Sequence, residues 1–286
     1  MARARETAAR SEREIRRRGM RDPEFLPWLE STQPTLDWHA PHLHLIREHL
    51  LDVVAGRKRR MMVQTPPRHG KSQQGTISLA AWYLERWPTR RVIIGAYNSD
   101  LAEFFGSKVR SLTRAAVSQE RRSAADWETT AGGGLRAAGV GAGITGRGAD
   151  LILIDDPVKS REEADSETYR ERCWAWYRDD LYTRLEPGGA VVLTMTRWHD
   201  DDLAGRILVS PDAPNWTVLT LPALAGDCDP LGRSPGAALW PARYDEGTLS
   251  EIRAVLGPRS WSALYQQEPT PDTGEYFQAG WFKRHT

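Results

Sequence analysis

Three features of the chain predict an α/β fold, a central and mostly parallel sheet flanked by helices. Strand-like apolar runs alternate with helix-like segments, the order that yields parallel pairing with helical crossovers. Residues 151–155 (LILID) are almost continuously apolar, as a strand buried on both faces must be. A Gly-Lys-Ser tripeptide at 70–72 sits between a short apolar run and a helix-like segment, the setting in which a backbone loop cradles phosphate.

Each element follows in order. Residues 1–20 read as a helix or a disordered arm, and 41–54 (PHLHLIREHLLDVV) have helical apolar spacing. Residues 61–65 form a buried strand and 70–85 the helix behind it. Residues 91–97 (RVIIGAY) are the next strand, and 100–112 its return helix. Residues 113–149, rich in Gly, Ala and Arg, give loops with short strands. After the strand 151–155 come a long helix at 163–185, a buried strand at 190–196 (AVVLTMT), a helix at 201–209 and a strand at 216–221. Prolines and glycines then dominate 222–241, and a short helix is expected near 246–256. The organisation expected is a basic arm at 1–30, a nucleotide-binding core at 31–225, a small lid at 226–277 and the start of a linker at 278–286.

Composition narrows the class. With 286 residues, 40% hydrophobic, the chain can bury one large core or a core with a small attached unit. No apolar run approaches the roughly 20 residues that span a bilayer. The Arg-rich start has no apolar segment behind it and is not a secretory signal. Two cysteines, Cys173 and Cys228, without CxxC spacing, support neither a disulfide framework nor a structural zinc site. A soluble protein of a reducing cytoplasm is expected. The net charge of +1 carries no global signature of nucleic-acid binding. Residues 1–21 nevertheless hold eight arginines against three glutamates, and Arg57-Lys58-Arg59-Arg60 precedes a strand. These runs fit either solvated charge or contacts with DNA phosphates or a partner.

The site argument begins at Thr65-Pro66-Pro67-Arg68-His69-Gly70-Lys71-Ser72. Gly70 lets backbone N–H groups approach phosphate oxygens, and the helix N-terminus adds partial positive charge. Lys71 is the candidate for the β- and γ-phosphates, and Ser72 for Mg²⁺. The usual loop begins with Gly, where this chain has Thr65. A nucleotide site also needs a metal-linked carboxylate and a group that positions water. Asp155 and Asp156 emerge at the end of the acidic strand, where ligands bind in open α/β sheets. Asp155 is assigned to Mg²⁺ and Asp156 to the catalytic base, with Glu162 and Glu163 as rivals. Thr194 and Thr196 end the strand 190–196, and Thr196, nearer the tip, is the better placed to sense phosphate. His199 with Asp200, Asp201 and Asp202 fits capping of the next helix better than a metal cluster. Arg68, inside the loop, is a candidate arginine finger in cis. Arg147, between Gly146 and Gly148, is a candidate to reach a neighbouring subunit. Gln33 and Trp38 are candidates for adenine, by paired hydrogen bonds and by stacking.

Taken in order, PPRHGKS (66–72), YNSDLAEFFGSKVR (97–110), GITGRGADLILIDDPVKSREEA (143–164), LTMTRWHDDDLAGRIL (193–208), LWPARYDEGTL (239–249) and WSALYQQEP (261–269) resemble the large terminase subunits of tailed phages. The resemblance covers most of residues 33–277. It implies a P-loop ATPase with an additional strand between the phosphate loop and the acidic strand, using ATP and Mg²⁺. It also implies a motor that drives double-stranded DNA into a procapsid as a homo-oligomeric ring, usually of five, docked on a portal protein and aided by a small terminase subunit. That work is done in the host cytoplasm, without a membrane. The resemblance maps phosphate-loop roles onto Lys71 and Ser72, the acidic pair onto Asp155 and Asp156, and coupling onto residues 194–196. It favours Arg147 as the trans-acting arginine. Asp156 departs from the family's usual Glu. The family also carries a C-terminal nuclease domain, and this chain is expected to stop where that domain would begin, so no nuclease activity is expected of it. A helicase-like ATPase and a nucleotide-binding module without turnover are the competing readings.

Overall fold

The computed structural model describes residues 24–144 and 146–270. The arm expected at 1–20 and the linker stretch EYFQAGWFKRH lie outside the described residues. In chain order the strands are β1 (Arg60–Gln64), β2 (Arg91–Ala96), β3 (Val117–Arg122), β4 (Asp126–Thr129), β5 (Gly134–Gly139), β6 (Ala149–Asp155), β7 (Leu185–Met195) and β8 (Thr217–Thr220). They make one eight-stranded sheet in the order β3-β4-β5-β2-β6-β7-β1-β8. The six strands from β5 to β8 pair in parallel, and β3 and β4 add antiparallel strands at one edge. β7 lies between β6 and β1, so an additional strand does separate the phosphate-loop strand from the acidic strand.

Alternation along each strand divides the interior in two. Met61, Val63, Val92, Ile94, Leu151 and Leu153 face one core. It is covered by α1 (Phe25–Thr32), α2 (Pro41–Val54), α3 (Leu79–Arg86) and α4 (Ser99–Leu112). Met62, Ile93, Ile152, Ile154, Val191 and Leu193 face the other. That face is covered by α5 (Arg161–Asp165), α6 (Glu167–Ala175) and α7 (Leu203–Val209). Burial on both faces explains why β6 reads as a continuous apolar run. Each such side chain contributes about 1.5–3 kcal/mol over its exposed state. Gly95 on β2 is required by packing, because a Cβ there would lie 2.5 Å from the Trp176 ring.

Two helices differ from expectation. The long helix expected at 163–185 is broken. Ser160 caps α5 and extended Ser166 caps α6, each hydroxyl accepting a backbone N–H, and the chain then runs π-helical over Trp176–Leu181. The local capping bonds of serine outcompete helix continuation. The helix expected near 246–256 instead extends through α8 (Glu246–Leu264), with a kink at Gly257 before Pro258. Helix α1, within the stretch expected as an arm, buries Phe25, Trp28 and Leu29 in the first core.

The chain after β8 gathers a third, small cluster of Ala223, Ala238, Leu249 and Trp261. The Gln266 side chain closes it, accepting from the Leu224 N–H (3.1 Å) and donating to its carbonyl (3.0 Å). Among the described residues no helix is long and apolar enough to cross a membrane.

Candidate active site

The carboxyl ends of β1, β7 and β6 lie side by side. Val63 pairs with Thr194 and Thr194 with Asp155, so the phosphate loop, the threonine tip and the acids emerge at one level. The loop leaves β1 at Thr65, whose N–H donates to the Met195 carbonyl (3.3 Å). It turns through left-handed backbone at Arg68 (φ 64°) and Gly70 (φ 86°). Gly70 meets two demands, since a side chain there would be strained and its Cβ would lie 2.9 Å from Leu43. The helix behind the loop is π-helical over Gln73–Ser78 before it continues as α3.

Lys71 is buried, and its Nζ lies 2.8 Å from Asp156 Oδ2. The Ser72 hydroxyl donates to Asp155 Oδ1 (2.8 Å), while Thr76 and Thr194 (3.1 Å) donate to Asp155 Oδ2. Burial, with Asp156 next to it, pushes the Asp155 carboxyl above the usual carboxylate range, against Lys71 and the hydroxyl donors. Asp156 sits in left-handed backbone (φ 38°) and is held at both ends. Its N–H donates to the Thr194 carbonyl (2.9 Å), and its Oδ1 accepts the Thr196 N–H (2.7 Å).

The loop is lined from inside by aromatics. His69 is fully buried, its Nδ1 on the Pro67 carbonyl (2.8 Å), and its own carbonyl meets His42 Nε2 (3.1 Å). Carbonyls only accept, so those two nitrogens carry the protons. His42 Nδ1 and His69 Nε2 are left as buried acceptors without a partner. Burial pushes both imidazoles down to about 4. Tyr244 stacks on His69 at 4.9 Å and Trp240 packs on His42 at 4.9 Å, which fastens the segment before α8 to the back of the phosphate loop.

The sequence candidates therefore separate. Lys71, Ser72, Asp155 and Asp156 converge. Gln33 joins them indirectly, donating to Ser78 (2.9 Å) and accepting from Gln73, the neighbour of Ser72. Trp38 does not fit its adenine-stacking role. It is 3% exposed in the first core, with its indole N–H on the Gln33 carbonyl, because the apolar ring gains more from burial than from a loop surface. The two threonines turn their hydroxyls to different partners. Thr194 places its hydroxyl on Asp155, whereas Thr196 turns its own to the Thr65 carbonyl (3.3 Å). Glu163 donates its N–H to the Ser160 hydroxyl (3.3 Å) and its carboxylate takes the Lys159 N–H (3.1 Å), and Glu162 is exposed in the first turn of α5.

Arg68 is exposed. Arg147 is held by Asp126 (3.0 Å) and Glu128 (2.8 Å) of β4, towards the sheet edge. At 199–202 the cap is Asp202, which accepts from Gly205 N–H and pairs with buried Arg197. Among the described residues no group of three or more His, Cys, Asp or Glu side chains is arranged to hold a metal ion. The Ser72–Asp155 pair offers two hard oxygen donors in contact, a set that suits Mg²⁺ completed by phosphate oxygens. Sequence reasoning missed Thr76 and the Trp240–Tyr244 seam. Thr76 carried a legible signal, four residues beyond Ser72 on the same helix.

The sequence model of the family described as terminase large subunit, T4likevirus-type, N-terminal, matches residues 62–284. Among solved structures, the crystal structure of the HK97 bacteriophage large terminase is similar with a TM-score of 0.45 and 12% identity, covering 78% of this chain and 50% of that one. The chain thus spans about half the length of that terminase. No curated protein matches the chain.

Proposed function

The chain belongs to the terminase large subunit family, and from that premise we propose that it is the ATP-hydrolysing motor domain of a DNA-packaging enzyme. One observation carries the catalytic part of this reading: Lys71 meets Asp156 at 2.8 Å where Ser72 meets Asp155 at 2.8 Å, at adjoining strand ends.

Lys71 is a flexible point charge held by one carboxylate oxygen. The triphosphate of ATP offers it a denser set of anionic oxygens, so Lys71 exchanges Asp156 for the β- and γ-phosphates. That exchange frees Asp156 Oδ2 to accept a proton from the attacking water. The Asp156 backbone and Oδ1 stay fixed by Thr194 and Thr196, so the base keeps its aim while its partner changes. Asp156 is preferred over Glu162 and Glu163 as the base, because the Glu163 carboxylate is taken up by the Lys159 N–H and Glu162 is exposed on α5. Ser72 and Asp155 would hold Mg²⁺, which supplies charge neutralisation on the β- and γ-phosphates. Gln33 reaches the same helix and is kept as the adenine contact; Arg68 remains the candidate for charge stabilisation in cis.

Arg147 is proposed as the finger supplied to a neighbouring subunit. Its anchor on β4 lies towards the sheet edge, apart from the Lys71–Asp156 pair. The working assembly is then a homo-oligomeric ring, most simply a pentamer. Its partners are double-stranded DNA, a portal protein and a small terminase subunit, and its setting is the host cytoplasm.

The test is steady-state ATP hydrolysis against protein concentration, with and without DNA, for wild type and Lys71→Ala. Specific activity should rise with concentration, as expected when one subunit completes another's site. It should fall at least 100-fold in the variant, the loss typical when a main transition-state contact is removed. Near-normal turnover by Lys71→Ala would sink the active-site reading. Activity independent of concentration would move the arginine role from Arg147 to Arg68.

A further inference from the structure

We propose that Thr76 is a positioning residue that fixes the rotation of the Asp155 carboxylate, so that one oxygen stays committed to the protein and the other is presented beside Ser72. The inference rests on the nucleotide-site reading above and goes beyond it, since the Thr76 hydroxyl acts through Asp155.

The geometry divides the carboxylate in two. Oδ1 takes only the Ser72 hydroxyl (2.8 Å), and Oδ2 takes the hydroxyls of Thr76 and Thr194 (3.1 Å). An ionised carboxylate is an acceptor only, so Ser72 and Thr76 donate to it, while Thr194 shares its one proton between Oδ2 and the Ile154 carbonyl (3.3 Å). A hydroxyl that ligates a cation through a lone pair still donates its proton, so Ser72 can keep its bond to Oδ1. Thr76 and Thr194 hold the opposite oxygen, and with it the rotation of the carboxylate. Thr76 and Asp155 are both buried, so no water replaces a missing donor cheaply. The backbone is shaped for this contact. Thr76 lies in the π-helical segment Gln73–Ser78, a departure from α-helix that recurs at functional sites. Gly75 beside it lets β7 close in, because a Cβ there would lie 2.8 Å from Thr194 Cγ2. With that close approach both threonines reach one oxygen.

The test uses the whole chain and binding of a fluorescent ADP analogue, in EDTA and in Mg²⁺, with Mn²⁺ affinity read by electron paramagnetic resonance. Thr76→Val preserves shape and removes the hydroxyl. It should lower Mn²⁺ affinity and the Mg²⁺-dependent gain in nucleotide affinity about tenfold or more, the usual cost of losing a partner behind a metal ligand. Affinity in EDTA should be unchanged, and Thr76→Ser should restore the metal dependence. A wild-type metal dependence in Thr76→Val overturns the proposal, as does an equal loss with and without metal, which marks a merely structural role. If the wild type binds no nucleotide and Lys71→Ala is indistinguishable from it, the nucleotide-site reading fails as well.

Discussion

At the residue scale the firmest ties of the site are buried polar contacts. Asp202 shows their logic. Its fully buried carboxylate takes the Arg197 Nε (2.9 Å), the Trp198 N–H (3.2 Å) and the α7 capping bond from Gly205 (3.0 Å). Arg197 in turn donates its backbone N–H to Gln267 (3.1 Å), so the end of β7 is linked to the segment after α8. Asp202→Ala would leave the Arg197 guanidinium buried without its counter-charge. It should cost about 3–5 kcal/mol, more than the ~1 kcal/mol of a lost cap alone. Urea unfolding measures it. A loss under about 1 kcal/mol would mean that Arg197 escapes to solvent.

At the element scale, the site depends on how closely the helix after the phosphate loop meets β7. Gly75 sits inside a helix, where replacement by Ala ordinarily gains about 1 kcal/mol. Here the added methyl would meet Thr194 Cγ2 at 2.8 Å, and Thr194 is itself buried and bonded to Asp155. Overpacking of this kind costs about 1–3 kcal/mol, which exceeds the propensity gain. Gly75→Ala is therefore expected to lower stability in equilibrium unfolding. A net stabilisation would show that the contact between helix and strand is loose. The broken helix between Ser160 and Leu181 belongs to this scale as well. Serine caps are visible in a sequence, but apolar spacing alone gives no reason to prefer a break over a bend.

For the whole molecule, the aromatic seam joins the segment before α8 to the phosphate loop through two histidines that burial keeps neutral. Their folded pKa of about 4 lies below the ordinary 6.5, so the unfolded chain binds more protons between those values. Their contribution is complete above pH 6.5 and is lost as pH falls towards 4, by up to roughly 3 kcal/mol per histidine. Asp155 works in the opposite direction, since its raised pKa favours the folded state as acid is added. Unfolding free energy measured from pH 7.5 to 4 should decline for the wild type, and less steeply in His42→Gln and in His69→Gln. Equal slopes in all three would show that both rings protonate without opening the seam.

Much of this was legible in the chain itself. Periodicity marked the strands that are buried on both faces, because such strands must be apolar at every position. The order of elements implied the parallel sheet. Lys71, Ser72, Asp155 and Asp156 stood out as candidates because phosphate and metal chemistry restricts residue type and spacing, and the fold brings the four together. Tertiary structure decided what depends on distance between segments remote in sequence. It put Trp38 in the core, gave Thr194 rather than Thr196 the contact with Asp155, added Thr76 from the π-helical turn, and laid Tyr244 on His69. A tryptophan, a threonine or a tyrosine is equally at home in a core, a strand or a loop. Only the packing that surrounds each one determines which role its side chain takes.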